Sequence, residues 1–161
     1  YKDILEDKMG ESNDTLEYGS EDARITEYYV TDSKGLKTNA LIKGSEFTIH
    51  MHVKFAKDVK QPIFAFTIKD VKGTEITGTN TMFEKAFLDD AKAGEEFEIT
   101  FTQNIDLQGG QYLLSFGVTG YKLDDFTVYH RLYDAMDITV VSDKNTVGFF
   151  DTNSKIVITR K

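Results

Sequence analysis

Cysteine and tryptophan are absent from this 161-residue chain, and Pro62 is its single proline. The lack of cysteine excludes a disulfide framework, a thiolate metal site and a cysteine nucleophile. No run of apolar residues approaches the ~20 needed for a membrane-spanning helix. An ordinary apolar core must therefore hold the fold together, and the length suits one domain rather than two.

Positive charge is also scarce. The chain has 19 lysine and arginine residues against 27 aspartate and glutamate residues, which gives a net charge of -8. A polyanion is repelled on average by such a protein, and no Lys/Arg-rich run offsets this repulsion. We therefore expect no nucleic-acid partner.

The N-terminal segment differs in composition from the rest. Its first 22 residues contain eight acidic and two basic side chains and few apolar ones. A segment of this kind buries too little apolar surface to fold by itself. We predict that residues 1–20 are a linker from a further N-terminal domain, and that residues 21–161 form the folded domain.

From Ala23 onward, short runs with alternating apolar and polar side chains are separated by turn residues. About eight such runs occur, at residues 23–32, 45–56, 62–70, 74–78, 95–103, 110–120, 135–141 and 154–160. This spacing predicts an all-β fold, an antiparallel β-sandwich of immunoglobulin-like or jelly-roll-like type. Residues 80–94 alone are predicted to form a loop with a short helix.

Two histidines lie two residues apart in one predicted strand. His50 and His52 follow Gly44 at the spacing of the first cupin motif, so they are candidates for a metal pair. The glutamate that this motif requires is replaced by Ala56 and Lys57, and the second cupin motif has no counterpart. A cupin-like metalloprotein therefore remains the weakest hypothesis, and we expect no metal site.

Catalytic signatures are missing as well. The sequence has no Gly-x-Ser-x-Gly motif and no P-loop. Its acidic pairs, Asp89–Asp90 and Asp124–Asp125, lie in charged, turn-like contexts where solvation explains them better than glycoside hydrolysis. We therefore expect a binding domain rather than an enzyme, with no cofactor.

Six stretches, in the same order and spacing, resemble one known family, the C-terminal carbohydrate-binding domain of Wzt-type ATPase subunits. These subunits serve ABC transporters that export O-antigen or related cell-surface polysaccharides. The run from Ile76 to Thr81, with its Gly-x-Asn-Thr turn, resembles the family most closely. The stretches are GSEDARITEYYVTDSKG, GSEFTIHMHVKF, PIFAFTIKDVKGTEITGTNT, GEEFEITF, GGQYLLSFGVT and YHRLYDAMDITV.

The resemblance implies a non-catalytic domain joined to a cytoplasmic nucleotide-binding domain at the inner face of the membrane. Such domains bind the terminus of a lipid-linked, O-antigen-type polysaccharide before export, beside the membrane subunit of the transporter. The resemblance also implies a homodimer, since family members commonly dimerise, in some cases by exchange of the last strand, here residues 154–160. The absence of tryptophan departs from the usual preference for that residue in sugar stacking. The alternative is an extracellular carbohydrate-binding or structural module of a secreted enzyme.

A glycan site needs a shallow groove with an aromatic platform and polar donors, and two strand faces offer these. We favour the first face, because its row of small side chains has no other ready explanation except a dimer contact or a plain exposed strand. Its candidate residues are Thr67, Lys69, Ser115, Thr119, Tyr121, Tyr129, His130 and Arg131. Those of the alternative face are Tyr29, His50, His52 and Lys54.

Overall fold

A computed structural model describes residues 16–161, which form eleven β-strands and no helix. The predicted all-β class is confirmed. The strands are Leu16–Tyr18 (β1), Ala23–Thr31 (β2), Ala40–Ile42 (β3), Glu46–Phe55 (β4), Val59–Lys60 (β5), Ile63–Asp70 (β6), Glu75–Asn80 (β7), Asp90–Ala91 (β8), Glu96–Asn104 (β9), Gly110–Lys122 (β10) and Asp125–Val141 (β11).

The strands form two principal sheets. The large sheet has the order β1-β11-β10-β6-β7, and β3 also pairs with β11, in parallel. The small sheet has the order β2-β4-β9, and both sheets are otherwise antiparallel. Strands β5 and β8 form a separate two-stranded ribbon. The described residues include no helix long and apolar enough to cross a bilayer.

The core lies between the two sheets, and strand alternation builds it. In β4 every second side chain from Phe47 to Phe55 is buried, while those between them face outward. Edge-to-face aromatic contacts join the sheets, with ring centroids 5.0 Å apart for Phe66 and Phe101. Each fully buried large side chain contributes about 1.5–3 kcal/mol to folding, so this stripe fixes which face of β4 is inside.

Strand β11 departs from regular alternation at two places. Val118 pairs with His130 and Thr119 pairs with Val128, so Tyr129 is an extra residue in a bulge. Nearer the middle of β10, Ser115 lies opposite a wider bulge, where its Oγ accepts the backbone N–H of Asp134 at 2.9 Å. Bulges of this kind redirect side chains, and both lie beside the candidate site.

Three predicted segments have a different structure. Residues 80–94 contain no helix, and β8 lies there instead. Residues 154–160 form no strand, because they make no ladder with any strand within residues 16–161. Of the predicted linker, residues 1–15 lie outside the described part of the chain, and Leu16–Tyr18 already pairs with β11.

Candidate functional site

A trough of about 280 Å³ runs across the outer face of the large sheet. We call it the outer trough. Adjacent pairs across β6 and β10 form its floor, Ala65 with Gly117 and Thr67 with Ser115. These side chains are small and face outward, whereas the alternate positions of the same strands, including Phe66 and Phe116, fill the core. The sheet is therefore hollowed along its centre instead of being flat.

Aromatic side chains stand on one side of the outer trough. Tyr121 and Phe126 pack edge to face with centroids 5.6 Å apart, and each remains about half exposed, at 51% and 53%. Tyr133 also lines the trough, with the Lys69 ammonium 5.8 Å from its ring centroid. Exposed aromatic faces beside hydroxyl-bearing floor residues match a pyranose ring, which is apolar on its faces and polar at its edge.

The two cations of the outer trough have different surroundings. The Lys69 Nζ lies 3.5 Å from a carboxylate oxygen of Asp134. The guanidinium of Arg131 lies over the Phe126 ring, 5.8 Å from its centroid. Within residues 16–161, no carboxylate oxygen lies within 4.0 Å of a guanidinium nitrogen of Arg131, so Arg131 forms no ion pair there. One end of the trough is thus neutralised, whereas the other keeps a positive charge.

Six of the eight residues proposed for this face line the outer trough. They are Thr67, Lys69, Ser115, Thr119, Tyr121 and Arg131. The other two, Tyr129 and His130, are buried with 1% exposure each. They do not border the trough, so the position predicted for them is wrong. The β11 bulge causes this, because an extra residue places two consecutive side chains inside.

Sequence reasoning missed Phe126 and Tyr133, which line the trough, and Asp134, which pairs with Lys69. An exposed phenylalanine within the polar stretch Asp124–Thr127 was a usable signal for Phe126. Tyr133 and Asp134 depend on the wider bulge, where Asp134 adopts a φ of 51°. No local pattern indicates that conformation.

His130 instead joins both sheets. The backbone N–H of Ile25 donates to its Nδ1 at 2.8 Å, and its Nε2 lies 3.2 Å from a carboxylate oxygen of Glu17. Glu17, Glu21 and His130 are close enough for a metal site among the described residues, with ligand atoms within 4.8 Å. Because Nδ1 accepts a hydrogen bond, the neutral ring carries its proton on Nε2, which has no lone pair for a metal. The cluster therefore anchors β1.

The alternative face, on the small sheet, is an internally bonded network. His50 stacks on Tyr29 with centroids 4.4 Å apart, and its ring nitrogens lie 2.9 Å from Glu98 and 2.9 Å from Thr31. The hydrogen bond to His50 lowers the pKa of Glu98. The Lys37 ammonium lies 4.3 Å from the centroid of the same Tyr29 ring. The aromatic surface on this face is thus already in contact with protein groups.

The remaining two residues of that face differ from the first pair. His52 lies between two carboxylates, 3.8 Å from Glu27 and 3.7 Å from Glu98. Lys54 is exposed at the end of the same row, paired across strands with Arg24 and Glu96. The small sheet therefore presents a polar surface of charged and hydrogen-bonded side chains.

A second and larger cavity, of about 720 Å³, opens between β7 and β9. These are edge strands of the two sheets. Apolar side chains from both sheets line this edge groove, and Phe149 and Phe150 stand at its mouth. Shortly after them the chain continues into residues 154–161, which are exposed.

Comparison with known proteins shows which family and which solved structures this chain is similar to. The family model described as "Wzt C-terminal domain" matches residues 14–152. A crystal structure of the C-terminal domain of wzt is similar with 24% identity and a TM-score of 0.83, over 98% of this chain and 96% of that one. A Niemann-Pick type C2 protein from Japanese carpenter ant shares the fold at 11% identity and a TM-score of 0.54, over 79% and 98%. Among curated proteins, none shows significant similarity to this sequence.

Proposed function

This chain belongs to the Wzt C-terminal domain family, and from that membership we propose that it is the non-catalytic glycan-recognition domain of a polysaccharide ABC exporter. It binds the terminus of a lipid-linked, O-antigen-type polysaccharide before export. It acts in the cytoplasm at the inner face of the membrane, joined to an ATPase domain and beside the membrane subunit. The family match over residues 14–152 carries this proposal.

The outer trough is our proposed glycan site. Its floor offers the hydroxyl groups of Thr67, Ser115 and Thr119, and its side offers exposed aromatic rings. Ser115 Oγ accepts the backbone N–H of Asp134, so its own proton is free to donate to a sugar oxygen. Concave shape, apolar platform and polar donors are the features that small-ligand sites combine.

The small-sheet face is the weaker candidate. Its Tyr29 ring lies 4.4 Å from the His50 ring and 4.3 Å from the Lys37 ammonium, whereas the neighbours of the Phe126 ring in the trough are 5.6 and 5.8 Å away. His50 also uses both nitrogens in hydrogen bonds. A sugar that binds there must first displace protein partners. Separating His50 and Lys37 from the ring breaks contacts that stabilise the free protein. The free energy of glycan binding is reduced by that cost.

We propose to test the site by an NMR titration of the chain with polysaccharide purified from the producing organism. Shifts clustered on Thr67, Ser115 and Arg131 support the outer trough. Shifts clustered on His50 and His52 instead refute that location in favour of the small sheet. Absence of any binding refutes the proposed function itself.

A matched pair of phenylalanines sharpens this test. Phe126 lies in the outer trough and is 53% exposed, whereas Phe149 lies at the edge groove and is 48% exposed. Phe126→Ala is expected to weaken glycan binding by up to about tenfold, since loss of one stacking ring costs roughly 0.5–1.5 kcal/mol. Phe149→Ala is the control and should leave the affinity unchanged.

We further propose that the domain is a homodimer formed by exchange of residues 154–160. Three consecutive apolar side chains there, Ile156, Val157 and Ile158, are 81%, 87% and 91% exposed. The edge strands β7 and β9 offer free backbone groups, and a strand from a second chain can satisfy such edges.

Deletion of residues 154–161 should convert the dimer into a monomer in size-exclusion chromatography with light scattering. Ile158→Asp should do the same, whereas Val147→Asp, at an equally exposed site outside the segment, should not. A truncated chain that remains dimeric would rule out strand exchange.

A further inference from the structure

Arg131 differs from the other cation of the outer trough in having no acidic partner among residues 16–161. Lys69 is close to Asp134 and pairs across strands with Glu75. Arg131 pairs across strands with Gly117 on one side and Tyr18 on the other. Within residues 16–161 its guanidinium makes no ion pair and no hydrogen bond to the protein.

The position of Arg131 is nevertheless fixed by packing. Its Cγ lies over Gly117, where a Cβ on that glycine would be 3.6 Å away. Its guanidinium lies over the Phe126 ring. The N–H edge of this guanidinium makes no hydrogen bond within residues 16–161, and such an edge matches a planar carboxylate or a phosphate by two parallel hydrogen bonds.

From this arrangement we infer that the outer trough recognises a glycan terminus bearing an anionic group, a carboxylate or a phosphate, and that Arg131 binds it. The inference rests on the proposed function, because it names the chemistry of the ligand at the same site. Arg131 is then the residue that determines specificity, while the aromatic side and the hydroxyl floor hold the sugar ring.

The trough itself orients such a ligand. The anionic group goes to the Arg131 end, beside Phe126. The uncharged remainder of the sugar extends toward Lys69, whose charge Asp134 already balances. Reversal would bring the anion close to Asp134 and Glu75, and like charges in a partly buried site repel strongly.

The net charge of -8 does not oppose this assignment. At physiological ionic strength charges farther apart than ~8 Å are largely screened. A two-point hydrogen-bonded contact with Arg131 is much shorter than this distance. The overall charge therefore slows the approach of an anionic glycan, while the contact itself retains its strength.

The test uses three forms of the polysaccharide purified from the producing organism: untreated, carboxyl-reduced, and dephosphorylated with hydrofluoric acid. Each is titrated into the chain and into Arg131→Gln, with binding followed by calorimetry and by NMR. One of the two treatments is expected to weaken binding to the native chain roughly tenfold or more, the loss typical of a charged hydrogen-bonded contact. The treatment that has this effect identifies the anion.

Arg131→Gln should lose the same factor toward the untreated glycan and should no longer distinguish the treated form. Arg24→Gln is the matched control, because Arg24 is exposed on the small sheet, and it should bind like the native chain. If Arg131→Gln binds the untreated glycan as tightly as the native chain, or if neither treatment weakens binding, the inference is wrong and the proposed function stands. If no form binds at all, both are wrong.

Discussion

Gly117→Val is the substitution that best separates glycan binding from folding. Gly117 lies on the floor of the outer trough, in the centre of β10. A Cβ there would meet the Arg131 Cγ at 3.6 Å and the His130 carbonyl oxygen at 4.0 Å, which are ordinary contacts. The glycine is therefore not required by the backbone, and this part of the floor has room for a Cβ.

Gly117→Val is expected to preserve or raise the stability of the fold and to lower the affinity for the glycan. Glycine within a strand costs roughly 0.5–1 kcal/mol relative to alanine, and β-branched residues suit strands. The free energy of unfolding should thus stay constant or rise by about that amount. The valine methyl groups, however, occupy the space of the Arg131 stem and raise the floor. We expect glycan affinity to fall about tenfold or more, a loss of roughly 1.4 kcal/mol.

Urea denaturation and the glycan titration together measure both effects. Gly78→Ala is the contrasting variant, because a Cβ at Gly78 would lie 2.6 Å from the carbonyl oxygen of Phe66 in the backbone of β6. Forced contacts of this kind typically cost about 1–3 kcal/mol of stability. A Gly117→Val protein that folds normally and binds glycan unchanged would refute the trough as the site. A Gly117→Val protein less stable than Gly78→Ala would refute the packing argument.

Three other substitutions test the core and the charged clusters. Leu114→Ala, at a side chain with 0% exposure, should lower the free energy of unfolding by about 3 kcal/mol in urea. Asp151→Asn should lower the urea midpoint at pH 7, because the Lys43 ammonium 2.6 Å away holds the pKa of Asp151 below its usual range. A lowered folded-state pKa adds stability above the unfolded-state value of about 3.9 and loses it as pH falls, so native and variant midpoints should converge toward pH 2. Glu98→Gln should behave likewise but with a smaller difference, since Glu98 is 46% exposed and its pKa is lowered mainly by the hydrogen bond with His50.

Strand alternation made much of this structure predictable. The inward stripe of β4 follows directly from the two-residue period, as does the outward position of Thr67, Ser115 and Thr119. Such features depend on local sequence only, because burying the wrong face of a strand would expose every large apolar side chain on it. The sandwich class follows from the same period repeated along the chain.

Strand alternation does not predict which side chains face outward where a bulge inserts an extra residue, because the bulge depends on the pairing with another strand. The β11 bulge cannot be inferred from Val128, Tyr129 and His130 themselves, since it depends on the pairing of that segment with β10. Buried hydrogen bonding explains part of its stability, because His130 satisfies the N–H of Ile25 from the other sheet. That partner lies 105 residues away in the sequence.

The segment 154–160 fails for a different reason. Its pattern is that of a strand, and its apolar residues are exposed in the single chain. A strand, unlike a helix, draws its hydrogen bonds from another segment, so its sequence specifies a preference and not a location. Where the partner belongs to a second chain, as we propose, a single chain leaves that preference unsatisfied.

In the stretch Tyr129–Arg131, one extra residue determines which side chains reach the trough and which are buried. As a regular strand, it would place Tyr129 and Arg131 together on the outer face and His130 alone inside. The bulge instead sends both Tyr129 and His130 inward, and only Arg131 reaches the outer trough. His130 then contacts Glu17 of β1, the strand that pairs with β11 beside Arg131. The backbone of Arg131 is thus paired with β1 directly beside the bulge, so the placing of this cation in the trough depends on strand pairing as well as on its contacts with Gly117 and Phe126.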